Sequence, residues 1–351
     1  MDNKLKVFTW ELTQRCNLRC SHCGSDCTSS ISEKELDKDE ALHVANDLCA
    51  FEIGKMVFSG GEPLLCPYWR ELARIFGGKT ELGMVTNGTL VTKDIARELK
   101  MYGFSLISVS IDGMEESHDL RREKGNFKVC MNAAANITGA GLKAGVNTTV
   151  TKDNIGELPE MFELLRSIGV TSWQIQPAVP SGRMKDHKDR LLTADDIWTL
   201  IQFAHDRNSL ARSPAIFLAE TIGYYSMMET RARQLAYGWD KLPVWRGCPA
   251  GTNSMGILST GDIVGCISLR DRSFKERNVH DLWREGLTVL DYWNSSGAFR
   301  WRRGLSPEKL SGKCGKCQYA ACCLGGCSNV RFCFSGTVES SNPMCVYSSE
   351  F

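Results

Sequence analysis

Apolar positions along this chain follow two periods. Residues 7–13, 55–59, 82–86, 104–111, 144–150 and 172–176 are short apolar runs with little alternation, and they read as strands buried on both faces. Between them, residues 38–50 place Ala41, Leu42, Val44, Ala45, Leu48 and Cys49 at helical spacing, and residues 69–76, 94–101, 127–139, 158–168 and 194–208 also read as helices. Asn154 with Glu157 forms an N-cap pattern before one helix, and Thr193 with Asp196 opens another. Six strand–helix units predict an α/β fold with a parallel sheet and helices outside it. Six is fewer than the eight of a closed barrel, so the expected architecture is a partial (β/α)6 TIM-like barrel with an open mouth.

In such folds ligands gather at the C-terminal ends of the strands. Four punctuations fall there: Cys16–Cys23, Gly60-Gly61-Glu62-Pro63, Thr86-Asn87-Gly88 and Ser110-Ile111-Asp112-Gly113. After about residue 210 the periodicity weakens. Residues 216–247, with Tyr224, Tyr225, Trp239 and Trp245, read as a helical bridge. From Cys248 onward short apolar pieces alternate with Gly, Ser and Cys; residues 256–266 read as a hairpin and 279–283 as a helix. The expected organisation is a barrel over 1–215, a bridge over 216–247 and a small Cys-rich iron–sulfur domain over 248–351. Residues 311–351 carry too little apolar sequence to fold without metal staples.

Charge excludes some functions. The 351 residues carry a net charge of +1 with Lys and Arg dispersed, which gives no support to nucleic-acid or membrane-surface binding. No stretch approaches the length of a membrane span, and no signal-peptide core precedes the first strand. Cysteine is the anomaly: of 16 in the chain, nine follow residue 247 and four lie between 16 and 27. In a reducing, cytoplasmic compartment such clusters bind metal more often than they form disulfides. The spacing Cys16-x3-Cys20-x2-Cys23 lets one loop cover one face of a metal cluster. Three thiolates on a four-iron cluster leave one iron open for chemistry. Zinc is the alternative, with Cys27 as the fourth thiolate.

The four strand-end motifs in this order resemble those of the radical S-adenosylmethionine (SAM) enzymes. The resemblance implies that Cys16, Cys20 and Cys23 ligate a [4Fe-4S] cluster whose free iron chelates the methionine part of SAM. Reductive cleavage of SAM then yields a 5′-deoxyadenosyl radical that abstracts hydrogen from the substrate. In that role Gly60 and Gly61 would let backbone approach the ligand, Glu62 would accept from the methionine ammonium, and Ser110 would bond the ribose or carboxylate. Arg122 matches the position of an arginine on the SAM carboxylate, with Arg121 next door as the alternative and a solvated helix start as the bland reading of both. Asp112 and Asn87 are further candidates, either of which could simply build a turn before its glycine. His22, between two ligands, is expected to pack near adenine rather than to ligate.

The C-terminal pattern Cys248-x12-Gly261-x4-Cys266, Cys314-x2-Cys317-x5-Cys323-x3-Cys327 and Cys345 is similar to the seven-cysteine SPASM extension. That likeness implies two auxiliary [4Fe-4S] clusters, three in all. Cys314, Cys317, Cys323 and Cys345 would hold the outer one, and Cys248, Cys266 and Cys327 the inner one. Zinc ribbons also use such Cys pairs. Sulfatase-maturing relatives carry a further Cys before the position of Cys248 and an Asp after that of Cys266. Here residues 240–247 contain no Cys and Ile267 follows Cys266. The inner cluster's fourth position therefore falls to Cys322, to Cys333 or to an open site, the last being expected. Formylglycine formation is disfavoured and no general base is identifiable. Cys27, Cys49, Cys66 and Cys130 default to small buried hydrophobes.

The expected function is a peptide-modifying maturase that cross-links or oxidises side chains of a ribosomally made precursor peptide. Its expected partners are the precursor peptide and a reductant such as flavodoxin or ferredoxin; since the chain begins directly on its first strand, the leader is expected to be recognised either by a separate leader-binding protein or by the bridge and SPASM surfaces. The alternatives are side-chain oxidation of a small molecule such as a haem precursor, and a non-catalytic metal-stapled binding protein.

Overall fold

The structure is a computed structural model that describes residues 4–28, 30, 33–210, 213–242 and 246–349. Trp245 lies outside the described residues. Strands and helices alternate through the first 218 residues: β1 (Lys4–Glu11), α1 (Lys38–Leu48), β2 (Glu52–Ser59), α2 (Trp69–Phe76), β3 (Glu81–Thr86), α3 (Lys93–Met101), β4 (Phe104–Ser110), α4 (Glu115–Arg121), α5 (Asn126–Gly139), β5 (Lys143–Val150), α6 (Leu158–Ser167), β6 (Ser172–Pro177), α7 (Ala194–Leu210) and β7 (Ala215–Leu218). Then come α8 (Met227–Tyr237), β8 (Ser254–Ile257), β9 (Asp262–Val264), β10 (Lys275–Asn278), α9 (Val279–Arg284), α10 (Val289–Asn294), α11 (Arg300–Arg303), α12 (Gly312–Gly315), α13 (Ala320–Cys323) and α14 (Ser328–Ser335).

Among the described residues one sheet runs in the order β10-β9-β8-β1-β2-β3-β4-β5-β6-β7. Every pairing from β1 to β7 is parallel. The fold is the expected partial barrel, open between β7 and the β8–β10 edge. Its core lies between sheet and helices, where Phe8, Trp10, Phe58, Trp69, Ile107 and Trp173 are almost wholly buried. Helices α1 and α7 start on reciprocal side-chain caps. Asp37 and Glu40 close a reciprocal capping box on α1, and Ala41, Val44, Ala45 and Leu48 form its buried face. Thr193 and Asp196 hydrogen-bond each other's backbone amides at the start of α7.

Three features differ from the expectations. The bridge segment begins with a strand: β7 pairs with β6, and α8 follows it. Four residues are too few for a period to show. The hairpin of β8 and β9 is not an isolated unit, because β8 pairs parallel with β1 and extends the sheet at its other edge. Asn154 does not cap α6. Its side chain donates to the carbonyls of Asp112 and Thr149 and accepts from Thr151 N–H, which ties the end of β5 to the end of β4. No described helix is long and apolar enough to cross a membrane.

Candidate active site

The cluster loop leaves the C-terminal end of β1 and packs as one small apolar group of Cys16, Leu18, Cys20 and Cys27 with Cys23 against it. Burial raises the Cys20 thiol to about 11 and also raises Cys16. Such thiols stay protonated until a metal displaces the proton. Two nitrogen donors point at them: Asn87 Nδ2 lies 3.6 Å from Cys16 Sγ, and Arg122 Nη1 lies 3.7 Å from Cys20 Sγ. Donors aimed at ligand sulfurs are the surroundings an iron–sulfur cluster requires. Among the described residues no three His, Cys, Asp or Glu side chains converge as a single metal ion demands. The donor set of Cys16, Cys20 and Cys23 fits a [4Fe-4S] group.

The 60–63 segment is pinned beneath this loop. Gly61 N–H donates to Thr13 O at 2.7 Å and Glu62 N–H to Arg15 O at 2.8 Å. A Cβ on Gly60 would sit 2.5 Å from Thr13 O, and one on Gly61 2.3 Å from Arg15 O. The two glycines thus allow backbone to approach backbone, in addition to the expected approach to ligand. Gly61→Ala is expected to cost roughly 1–3 kcal/mol, because neither backbone can yield. A fall in the urea midpoint checks it; an unchanged midpoint would mean the loop adjusts freely.

Glu62 is fully buried, and burial raises its carboxyl to about 7. Oε1 accepts from Thr86 Oγ1 and Leu64 N–H, and Oε2 from Asn87 N–H. Those three bonds tie the ends of β2 and β3 together and leave one lone-pair direction for a ligand ammonium. Asn87 does more than build a turn. Its Nδ2 also donates to Asn17 Oδ1 at 2.9 Å, and its Oδ1 accepts from Thr89 N–H at 2.9 Å.

Asp112 is likewise no mere turn residue. It is fully buried; Oδ2 accepts from Arg122 Nε at 2.7 Å and faces His22 Nε2 at 3.0 Å, while Oδ1 accepts from Thr149 N–H at 2.8 Å. Burial alone would raise this carboxyl, but Arg122 and then His22 hold it well below the usual carboxylate range. The pair of arginines separates. Arg122 reaches Asp112 and Cys20, whereas Arg121 turns to Thr151 Oγ1 at 2.6 Å and to Asp153. His22 keeps a buried Nδ1 with no hydrogen-bond partner among the described residues. Ser110 is half-buried at the end of β4, in register with Asn147 on β5 and through it with Gln174 on β6. These three share one face of the sheet.

Local sequence gives no sign of Arg183. It follows β6, donates to the carbonyl oxygens of Cys20 and Cys27 and pairs with Asp26, so it clamps the cluster loop from across the barrel. The nearest of these partners is 156 residues away.

The C-terminal thiols divide into two groups. Cys314, Cys317, Cys323 and Cys345 line one small cavity with Tyr224, Tyr225 and Tyr319. Burial, and after it the charges of the other three thiols, raise Cys323 to about 12. Cys248, Cys266 and Cys327 form the second group: burial raises Cys327, and Cys248 and Cys266 add to the rise. Cys322 is exposed, and Cys333 Sγ donates to Asn329 Oδ1. Neither is drawn into the Cys248–Cys266–Cys327 group. Arg331, fully buried, lies within electrostatic reach of Cys248, Cys327, Cys314 and Cys323 and so faces both groups. Of the cysteines without a motif, Cys27, Cys66 and Cys130 are buried as expected, but Cys49 is exposed, because it follows the last residue of α1.

A cavity of about 800 Å³ opens beside Cys266 and Ile267. Its walls include Val7 and Thr9 of β1, Ser254 and Met255 of β8, Gln174 of β6 and one face of α8. Cys266 and Gln174 thus border one space, and Gln174 lies on the row that leads to Ser110.

Strand-end motifs, three thiols on one loop, two of them with directed donors, and a barrel open on one side define a radical SAM fold. Residues 10–165 match the radical SAM superfamily model. The chain is 31% identical over 367 residues to the AdoMet-dependent heme synthase of Methanosarcina barkeri, covering 99% of this chain and 98% of that protein. The chain belongs to the radical SAM enzymes. It is also 26% identical to mycofactocin maturase MftC of Mycolicibacterium smegmatis over 97% of this chain and 82% of that protein. The fold is similar to that of anSMEcpe solved with AdoMet and a peptide, with a TM-score of 0.73, 17% identity and coverage of 97% of this chain and 93% of that one.

Proposed function

We propose that this radical SAM enzyme oxidises a carboxylate-bearing side chain of a tetrapyrrole, a haem precursor, bound inside the barrel. The observation that carries this reading is the cavity of about 800 Å³ beside Cys266. Its volume is that of a site that encloses a small molecule of several hundred Å³. The extended likeness to a heme synthase points the same way. Bound cluster and SAM supply the hydrogen-abstracting radical; the chain supplies position and exclusion of water. On this reading Asn87 and Arg122 hold the cluster sulfurs, and Glu62, Ser110 and His22 face SAM. The SPASM thiols hold two auxiliary clusters, with three protein thiolates on the inner one, and a flavodoxin or ferredoxin delivers electrons.

A peptide substrate is the second reading, favoured by the likeness to the mycofactocin maturase. Anaerobic reconstitution with iron and sulfide separates the readings. The expected result is roughly twelve irons per chain and 5′-deoxyadenosine release coupled to loss of mass from an iron coproporphyrin. Coupling only to a precursor peptide would favour the maturase. Zinc content without SAM cleavage would leave a metal-stapled binding protein.

A further inference from the structure

Two aromatic rings near the C-terminal end of α8 are placed as a ligand platform. Tyr237 and Trp239 stack with centroids 4.3 Å apart and planes 6° from parallel, and Phe217 meets Tyr237 edge-on at 4.9 Å. Both Tyr237 and Trp239 line the 800 Å³ cavity, yet each is 46% exposed. A rigid aromatic stack open to a cavity offers a flat apolar face to a flat ligand.

The charged groups around the same cavity are Lys6, Arg233, Arg246, Glu220 and Glu229. Arg233 is already committed: it pairs with Glu229 and donates to the carbonyls of Leu218, Ala219 and Ile222. Glu220 lies near that pair. Lys6 and Arg246 are exposed and pair with no acid among the described residues. The cavity therefore joins an aromatic face to two cations that pair with no acid among the described residues.

We infer that Tyr237 and Trp239 form the stacking platform for a planar macrocycle and that Lys6 and Arg246 bind its side-chain carboxylates. This assignment rests on the tetrapyrrole reading and gives that substrate its recognition site. Anchored by its carboxylates, the ring is held in one orientation, with an edge toward Gln174, which lines the same cavity. A carboxylate bound by Arg has a directed, forked partner, and one bound by Lys a point charge.

The test is equilibrium titration of the reconstituted enzyme, without reductant, with iron coproporphyrin and with its tetramethyl ester, followed by the Soret band. Wild-type enzyme is expected to prefer the acid. K6Q/R246Q is expected to weaken binding of the acid by on the order of 10- to 100-fold per lost charged contact and to leave the ester unchanged, so the preference disappears. The single variants K6Q and R246Q should fall between. Y237A and W239A should weaken acid and ester alike, by about tenfold each. K6R should retain the preference for the acid. An unchanged preference in K6Q/R246Q, with cluster absorbance intact, overturns the anchors alone. Wild-type enzyme that binds neither compound overturns the tetrapyrrole reading and the anchors together.

Discussion

Cys20→Ala is expected to abolish 5′-deoxyadenosine release and to lower iron by roughly four atoms per chain, leaving the auxiliary thiols loaded. Cys20 is the middle thiol of the loop and is buried, and its proton is held up to about 11 chiefly by that burial. Its compensating charge is Arg122, 3.7 Å from the sulfur. Alanine removes the ligand and leaves the guanidinium with Asp112 as its hydrogen-bonded partner. Two remaining thiols cannot hold the group in an orientation that keeps one iron open. Cys317→Ala is the comparison, because that thiol lines the separate cavity with Cys314, Cys323 and Cys345. It should also lose iron but retain cleavage of SAM in the absence of substrate. Iron analysis and chromatography of the nucleoside products read both outcomes. Undiminished 5′-deoxyadenosine from Cys20→Ala would remove the loop from the catalytic cluster.

Asp112→Asn is expected to destabilise the protein by about 3–5 kcal/mol, the cost of leaving a buried charge without its partner. The stranded group is Arg122, whose side chain is 9% exposed and whose Nε now donates to Asp112 at 2.7 Å. An asparagine amide keeps the acceptor for Thr149 N–H but puts a neutral group where Arg122 and His22 need an anion. Asp153→Asn is the control: its partner Arg121 is buried, but Asp153 itself is 44% exposed in side-chain area and 3.4 Å away, and such pairs contribute under about 1 kcal/mol. Urea denaturation at neutral pH compares the two. Equal midpoints would mean that Asp112 does not hold Arg122.

Much of the fold was legible because parallel strands buried on both faces leave continuous apolar runs, and helices leave a 3.6-residue period. The strand ends were legible for the same reason: GGEP, TNG and S-x-D-G interrupt those runs where the chain must turn. β7 was not, because four residues with the burial alternation of Ala215–Leu218 carry no period that stands out from a helical context. Within the site, the residue types at Cys16, Cys20, Cys23, Glu62, Asp112 and Arg122 were readable, but their contacts were not. Sequence favoured Arg122 by resemblance and kept its neighbour Arg121, with the same side-chain chemistry, as the alternative. The end of α4 sends one to the cluster loop and the other to the end of β5.

By itself the sequence placed the Cys16–Cys23 loop and its companions at successive strand ends, and it was their resemblance to the radical SAM motifs that pointed to the reaction class. The grouping of the C-terminal thiols was set by the likeness to SPASM spacing, and the structure brings Cys314, Cys317, Cys323 and Cys345 around one cavity. Tertiary structure alone decided the Asp112–Arg122–His22 network, the clamp of Arg183 on the loop and the joining of β8 to β1. It alone decided that Lys6 and Arg246, 240 residues apart, face one cavity with Tyr237 and Trp239. Such pairings have no local signature, since a hydrogen bond or a shared cavity between distant residues imposes no period on the chain between them.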